Sequence, residues 1–170
     1  EEIKALSKLQ KLDLSHNLLV DPIPDPLLSL PIISLQLNAN RFRGPIPLNF
    51  GSFSMLSVLD LSGNEFSGTL SDELGLVVTL EKLALGDNYL TGAGLPSSWG
   101  NLVNMRDLRL QRTGLGGIIP QEFASLTKLE KLDLQSNNLV GSLPPMPWPL
   151  LLSLQVQGNG LEGSFPPEIL

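Results

Sequence analysis

The chain has 170 residues, with 17 acids against 11 Lys and Arg for a formal charge of −6, and this acidity, with no basic run, argues against a phosphate-binding nucleic-acid surface. It has no cysteine and a single histidine, His16, so it offers no disulfide framework, no thiolate nucleophile, no cysteine metal site and little for a catalytic triad. Hydrophobic residues make up 42% but aromatics only 5%, which points to a core filled by leucine, and no apolar run approaches the ~18 residues of a membrane span.

The first residues, EEIKALSKL, are acidic and periodic and do not form a signal peptide. Ile3, Leu6 and Leu9 already stand in phase with Phe123, Leu126 and Leu129 of a reference copy, LEKLDLQSNNLVGSLP at 129–144. Aligned on one asparagine, the copies fall at Asn17, Asn40, Asn64, Asn88, Thr113, Asn137 and Asn159, at intervals of 23, 24, 24, 25, 24 and 22 residues. The expectation is one array over 1–170 with seven strand-bearing coils, contacts running only between neighbours. FPPEIL at 165–170 reads as the start of a further coil. With no cap visible at either end, the chain is expected to be the interior of a longer protein.

In each L-x-L the two leucines share one face of a short strand and the residue between them faces solvent. The asparagine behind the strand turns the chain, and its amide can bond the backbone of the neighbouring coil. The first coil carries Asp21 where later coils have glycine. The fourth has an extra residue in TGAGLP at 91–96, a bulge on the side of the array. The fifth replaces asparagine by Thr113, whose hydroxyl supplies only part of the amide's bonding. Between proline and the next strand, Leu27, Phe50, Leu74, Trp99 and Phe123 occupy one position, and the spacing of three around it predicts 3₁₀ or short helical turns on the convex side. Trp99 is predicted to be core. Before the seventh strand, PPMPWPLL lacks amide donors, so no helical turn is expected there; Trp148 is left open between core and surface.

The second half of each copy, as in NRFRGPIP at 40–47, TGLGGIIP at 113–120 and NNLVGSLP at 137–144, resembles the plant-specific class of leucine-rich repeat. That class occurs in plant receptor-like kinases, receptor-like proteins and polygalacturonase-inhibiting proteins. The resemblance implies an α/β fold: a right-handed solenoid with a concave parallel β-sheet, short 3₁₀ or helical turns on the convex side, and a second short strand near the glycine. It also implies recognition of a protein, peptide or glycan outside the cell or at its surface, by a non-enzymatic module with no cofactor and no metal. Sequons of the form N-x-S/T are absent from the chain, which leaves an intracellular or organellar assembly as the alternative.

Adjacent coils should stack each solvent-facing column at ~4.8 Å. The first column reads Lys11, Ser34, Val58, Lys82, Asp107, Lys131, Ser153; the second Asp13, Gln36, Asp60, Ala84, Arg109, Asp133, Gln155; the third, uncharged, Ser15, Asn38, Ser62, Gly86, Gln111, Gln135, Gln157. Candidate ligand-binding residues are Asp60, Arg106, Arg109, Gln111, Asp133, Gln135, Gln155 and Gln157. Arg109, helped by Arg106, Gln111 and Arg112, is a candidate anion point; its bland reading is an exposed lattice with Asp107, Lys131 and Asp133. Some plant peptide-hormone receptors carry R-x-R on this face, where this chain has Arg109-Leu110-Gln111. Asp13 and Asp60, roughly 10 Å apart in one column, have the spacing of an inverting glycosidase pair, but nothing evident on an open surface raises a pKa. The serine-to-glutamine change along the third column lacks the regularity of an ice-binding ladder. The alternative reading is an assembly subunit that uses its side and convex faces, with Thr91 and Trp148 as contacts.

Overall fold

A computed structural model describes residues 2–92, 94–145, 147–164 and 166–167. The strands, in chain order, are β1 (Lys11–Asp13), β2 (Ser34–Gln36), β3 (Arg43–Pro45), β4 (Val58–Asp60), β5 (Glu65–Gly68) and β6 (Lys82–Ala84). They continue as β7 (Tyr89–Leu90), β8 (Asp107–Arg109), β9 (Lys131–Asp133), β10 (Val140–Gly141), β11 (Ser153–Gln155) and β12 (Gly160–Leu161). One parallel sheet takes a strand from each coil in the order β1-β2-β4-β6-β8-β9-β11. A second, lateral sheet is split into β3-β5-β7 and β10-β12.

Each strand of the main sheet is only three residues long because the chain turns as soon as L-x-L has put two side chains inside. The inward pairs of the inner coils, such as Leu59 and Leu61 or Leu83 and Leu85, are completely buried. The turn that follows uses the left-handed region at one fixed place: His16, Ala39, Gly63, Asp87, Arg112, Ser136 and Gly158 all have φ between 49° and 72°. The next residue is the asparagine, or Thr113 in the fifth coil. Asn64 Oδ1 accepts from Phe42 N of the coil before at 3.0 Å, while Nδ2 donates to Leu37 O at 3.0 Å and to its own coil's Leu61 O at 3.0 Å. Asn40, Asn88, Asn137 and Asn159 repeat this arrangement. Such a column satisfies turn backbone that the stacking removes from water.

Single 3₁₀ turns pack the other side, at Glu2–Ala5, Asp25–Ser29, Leu48–Ser52, Asp72–Leu76, Ser97–Asn101 and Gln121–Ser125; no α-helix occurs among the described residues. Proline precedes the turns that start at Asp25, Leu48, Ser97 and Gln121. Ser71 stands in that place before Asp72–Leu76, and its Oγ accepts from Glu73 N at 3.1 Å. Successive turns approach so closely that a Cβ at Gly75 would lie 2.6 Å from Ser98 O, and one at Gly100 2.6 Å from Glu122 O. Ala124 occupies the equivalent place in the last 3₁₀ turn, beyond which the seventh coil shows no 3₁₀ turn among the described residues.

That missing turn follows from the prolines before β11, as the sequence predicts. Trp148 nevertheless continues the column of Leu27, Phe50, Leu74, Trp99 and Phe123: its carbonyl accepts from Leu151 N at 3.0 Å, as Phe123 O accepts from Leu126 N at 3.0 Å. It is 5% exposed and Trp99 fully buried, so Trp148 is core and unavailable as a side-face contact. Leu151 serves both as the residue three beyond the tryptophan and as the first core residue of the strand. The step from Trp148 to Leu151 is thereby three residues shorter than that from Phe123 to Leu129, and with one extra residue before the tryptophan the final interval falls from 24 to 22. The predicted start of a further coil at 165–170 lies outside the described residues apart from Pro166 and Pro167.

Candidate functional site

The strand pairing is in register throughout the main sheet, with Lys82, Asp107, Lys131 and Ser153 side by side, and Ala84, Arg109, Asp133 and Gln155 beside them. The third column continues past the strand ends, because Gly63 N donates to Gly86 O, Asp87 N to Gln111 O and Arg112 N to Gln135 O. On this face Arg109, Gln111, Lys131, Asp133, Ser153 and Gln155, above Leu132, line a hollow of about 270 Å³. Four of the eight sequence-derived candidates therefore come together. Lys131 and Ser153 complete the wall and were missed; their place in the column beside Arg109 and Gln155 was the signal that could have found them.

The Arg109 guanidinium grips Asp107 two residues back, Nε to Oδ1 at 2.8 Å and Nη2 to Oδ2 at 2.8 Å. That bond, opposed by partial burial and reinforced by the fields of Asp107, Asp60 and Asp133, raises the arginine's pKa, so it is a permanent cation. The expected lattice reaching across to Asp133 is thus an intrastrand pair instead, since alternate residues of one strand share a face. Asp133 accepts from its own Gln135, from N at 3.1 Å and from Nε2 at 3.2 Å. Gln135 Nε2 also donates to Gln155 Oε1 at 3.2 Å, and Gln157 Nε2 to Gln135 Oε1 at 2.8 Å. A chain of amides leads out of the hollow along the third column.

Two candidates lie elsewhere. Asp60 is only 8% exposed and accepts from Ser62 N at 3.2 Å, Ser62 Oγ at 2.6 Å and Lys82 Nζ at 2.9 Å. Arg106 lies just before the start of β8, where it bonds Glu130 at 2.6 Å and reaches Glu81 at 3.7 Å. It does not line the hollow, because it precedes the strand by one residue and so falls out of the outward-facing alternation. Arg112 likewise turns to Asp87, with Nη2 at 3.0 Å from Oδ2, and that contact raises its pKa. Thr91 is exposed on the lateral side.

Asp13, Asp60 and Asp133 share one local role. Each accepts the backbone N–H two residues on, at 2.9, 3.2 and 3.1 Å, and so caps the strand end where the chain turns away from the ladder. The Ser15 hydroxyl and N–H hold the Asp13 carboxyl below the ordinary carboxylate range, with His16 adding to the effect against a small burial penalty. This is the opposite of what a general acid requires. No group of three or more potential metal ligands occurs among the described residues.

The geometry is that of a parallel solenoid whose open sheet face presents columns of polar side chains. Models of the leucine-rich repeat match residues 78–139, and also 8–30 and 55–76. The chain belongs to the leucine-rich-repeat family. It is 32% identical over 119 residues to Receptor-like protein EIX2 of Solanum lycopersicum, a match covering 66% of this chain and 12% of that protein. It is 36% identical, with a TM-score of 0.95, to the ectodomain of the Arabidopsis receptor kinase HAESA, solved in complex with an N-terminally extended IDA peptide hormone ligand. That superposition covers 99% of this chain and 29% of the other. A plant ice-binding protein shares the fold at 27% identity and a TM-score of 0.77, over 99% of this chain and 63% of the other. The chain thus spans well under two thirds of the receptor-like relatives it matches.

Proposed function

We propose that this chain is a recognition module that binds an extended peptide or protein segment along the solvent face of its main sheet, as part of a receptor-type protein at the cell surface. The observation that carries this reading is the hollow formed by Arg109, Lys131, Asp133 and Gln155 among columns in register. A fixed cation, a lysine with no side-chain partner among the described residues and a carboxylate stand beside amides that can donate to and accept from peptide groups. None of the three columns carries an aromatic ring on which a sugar could stack, which favours peptide over glycan. The receptor-like relatives and the peptide complex of the HAESA ectodomain support the same reading. Open, shallow geometry and locked aspartates support binding without catalysis, with no cofactor taking part.

The test is an array of synthetic extracellular peptides and cell-wall oligosaccharides titrated against the 170-residue chain, with Arg109→Ala and Gln155→Ala as controls. Retention of a peptide that both variants lose, at unchanged circular dichroism, supports the proposal. A ligand indifferent to both variants but lost on altering Thr91 would place recognition on the lateral face and favour the assembly reading.

A further inference from the structure

On the asparagine side the step between coils four and five lacks, among the described residues, the lateral backbone link that the other steps carry. Elsewhere the residue after the asparagine donates its N–H back to the coil before: Arg41 to Leu19 O at 2.8 Å, Glu65 to Phe42 O at 2.8 Å, Asn138 to Leu115 O at 2.7 Å and Gly160 to Leu139 O at 2.8 Å. Between coils four and five that donor is Gly114 N, which turns forward to Asn137 Oδ1 at 2.9 Å. Thr113 N and Oγ1 also bond Asn137 Oδ1, at 3.1 and 2.8 Å. The Thr113 hydroxyl sends nothing back to coil four among the described residues. Asn17, Asn40 and Asn64 each donate N–H to the following coil, and among the described residues no such bond is made by Asn88, Thr113 or Asn137, so what sets this joint apart is the Gly114 N–H. The lateral sheet stops at β7 for the same reason.

The other two sides of this joint are intact. Strands β6 and β8 pair over their full length, and the turns at Ser97–Asn101 and Gln121–Ser125 touch through Gly100. On the open side Gly94 lies close to the Gly116 carbonyl, and beyond the bond from Asp87 N to Gln111 O at 2.8 Å the polar side-chain link among the described residues is one carboxylate. Asp87 receives Arg112 Nη2 at 3.0 Å and Gln111 Nε2 at 3.2 Å.

We propose that the joint between coils four and five is a hinge that opens on the asparagine side, with the Asp87 carboxylate as its latch. A stack held on two sides and released on the third can rotate about the held edge, whereas the other joints are held on all three. The latch is electrostatic and half-exposed, so its strength falls with ionic strength. Gln111 donates to Asp87 and also lines the hollow, so opening the latch frees one side chain of the hollow's wall from its tether.

Amide hydrogen exchange on the 170-residue chain, resolved by NMR, tests this. The N–H groups of Asp87, Asn88 and Leu90 should exchange at least about tenfold faster than their counterparts Gly63, Asn64 and Phe66, with Leu102 and Leu126 equally protected. Asp87→Asn, which keeps tolerance of the left-handed backbone, should widen that gap, as should raising NaCl from about 0.05 to 0.5 M. Thr113→Asn, which returns an amide to the column, should narrow it. Equal rates at the two joints in the wild type at both salt concentrations would overturn the hinge. Faster exchange that neither Asp87→Asn nor salt alters would overturn the latch.

Discussion

The indole of Trp148 donates to the carbonyl oxygen of Phe123 across 3.0 Å, while Trp99 does the same to Ser71 O at 3.0 Å. Each tryptophan ties the wide slot of its own coil to the coil before. Trp148→Phe keeps an aromatic ring but loses the donor and part of the indole's volume, and should cost about 1–3 kcal/mol, while Phe123 O keeps its bond from Leu126 N. Trp148→Ala leaves a cavity and should cost about 3–5 kcal/mol. Urea unfolding followed by circular dichroism measures both; equal losses would show that the indole N–H, not its bulk, holds the proline-rich segment.

Close approach of the turns reverses the usual preference for alanine over glycine. Gly75→Ala and Gly100→Ala should each destabilise by about 1–3 kcal/mol, since the new methyl meets the backbone oxygen of the next turn and backbone cannot swing aside. Ala124→Gly, where no turn follows, should cost under about 1 kcal/mol, from chain entropy alone. Thermal unfolding of the three variants checks the ordering.

Asp21 has φ 81° at the place where Gly44, Gly68, Gly92, Gly117, Gly141 and Gly163 have φ between 71° and 115°. Asp21→Gly relieves that strain and should stabilise by up to about 1 kcal/mol. Its contact with Arg43, 3.7 Å between two highly exposed groups, contributes little against this. A drop in the urea midpoint would show that the ion pair outweighs the backbone.

The low pKa of Asp13 makes a small part of the stability depend on acid. The folded value lies below the unfolded one, so the contribution is present above the ordinary carboxylate value near ~3.9 and is lost as pH falls through the folded value. A carbon-detected NMR titration should place the Asp13 midpoint below that of an exposed aspartate, and Ser15→Ala should move it up. No movement in that variant would assign the shift to backbone alone.

Much of this molecule was legible because a repeat states its register over and over. The leucine spacing gave the inward face, the recurrence of asparagine every 22 to 25 residues gave the strand order, and the proline positions gave the start of most 3₁₀ turns and the absence of one before β11. Even the outward columns were readable, since alternation along a strand leaves no other place for Lys131, Asp133 and Gln135. Trp148 was not: prolines hid its phase, and only the backbone bond to Leu151 shows that it continues the tryptophan and phenylalanine column.

The sequence by itself determined the array, its buried leucines and the identity of every residue on the sheet's open face. Only the tertiary structure decided how those residues spend their charges. A side chain with several rotamers chooses among neighbours in its own strand and in two adjacent coils, and its spacing does not reveal the choice. So Arg109 turns to Asp107, Asp60 is closed off by Ser62 and Lys82, and Gly114 turns forward to Asn137. That last choice splits the lateral sheet, because one N–H can serve only one neighbouring coil well.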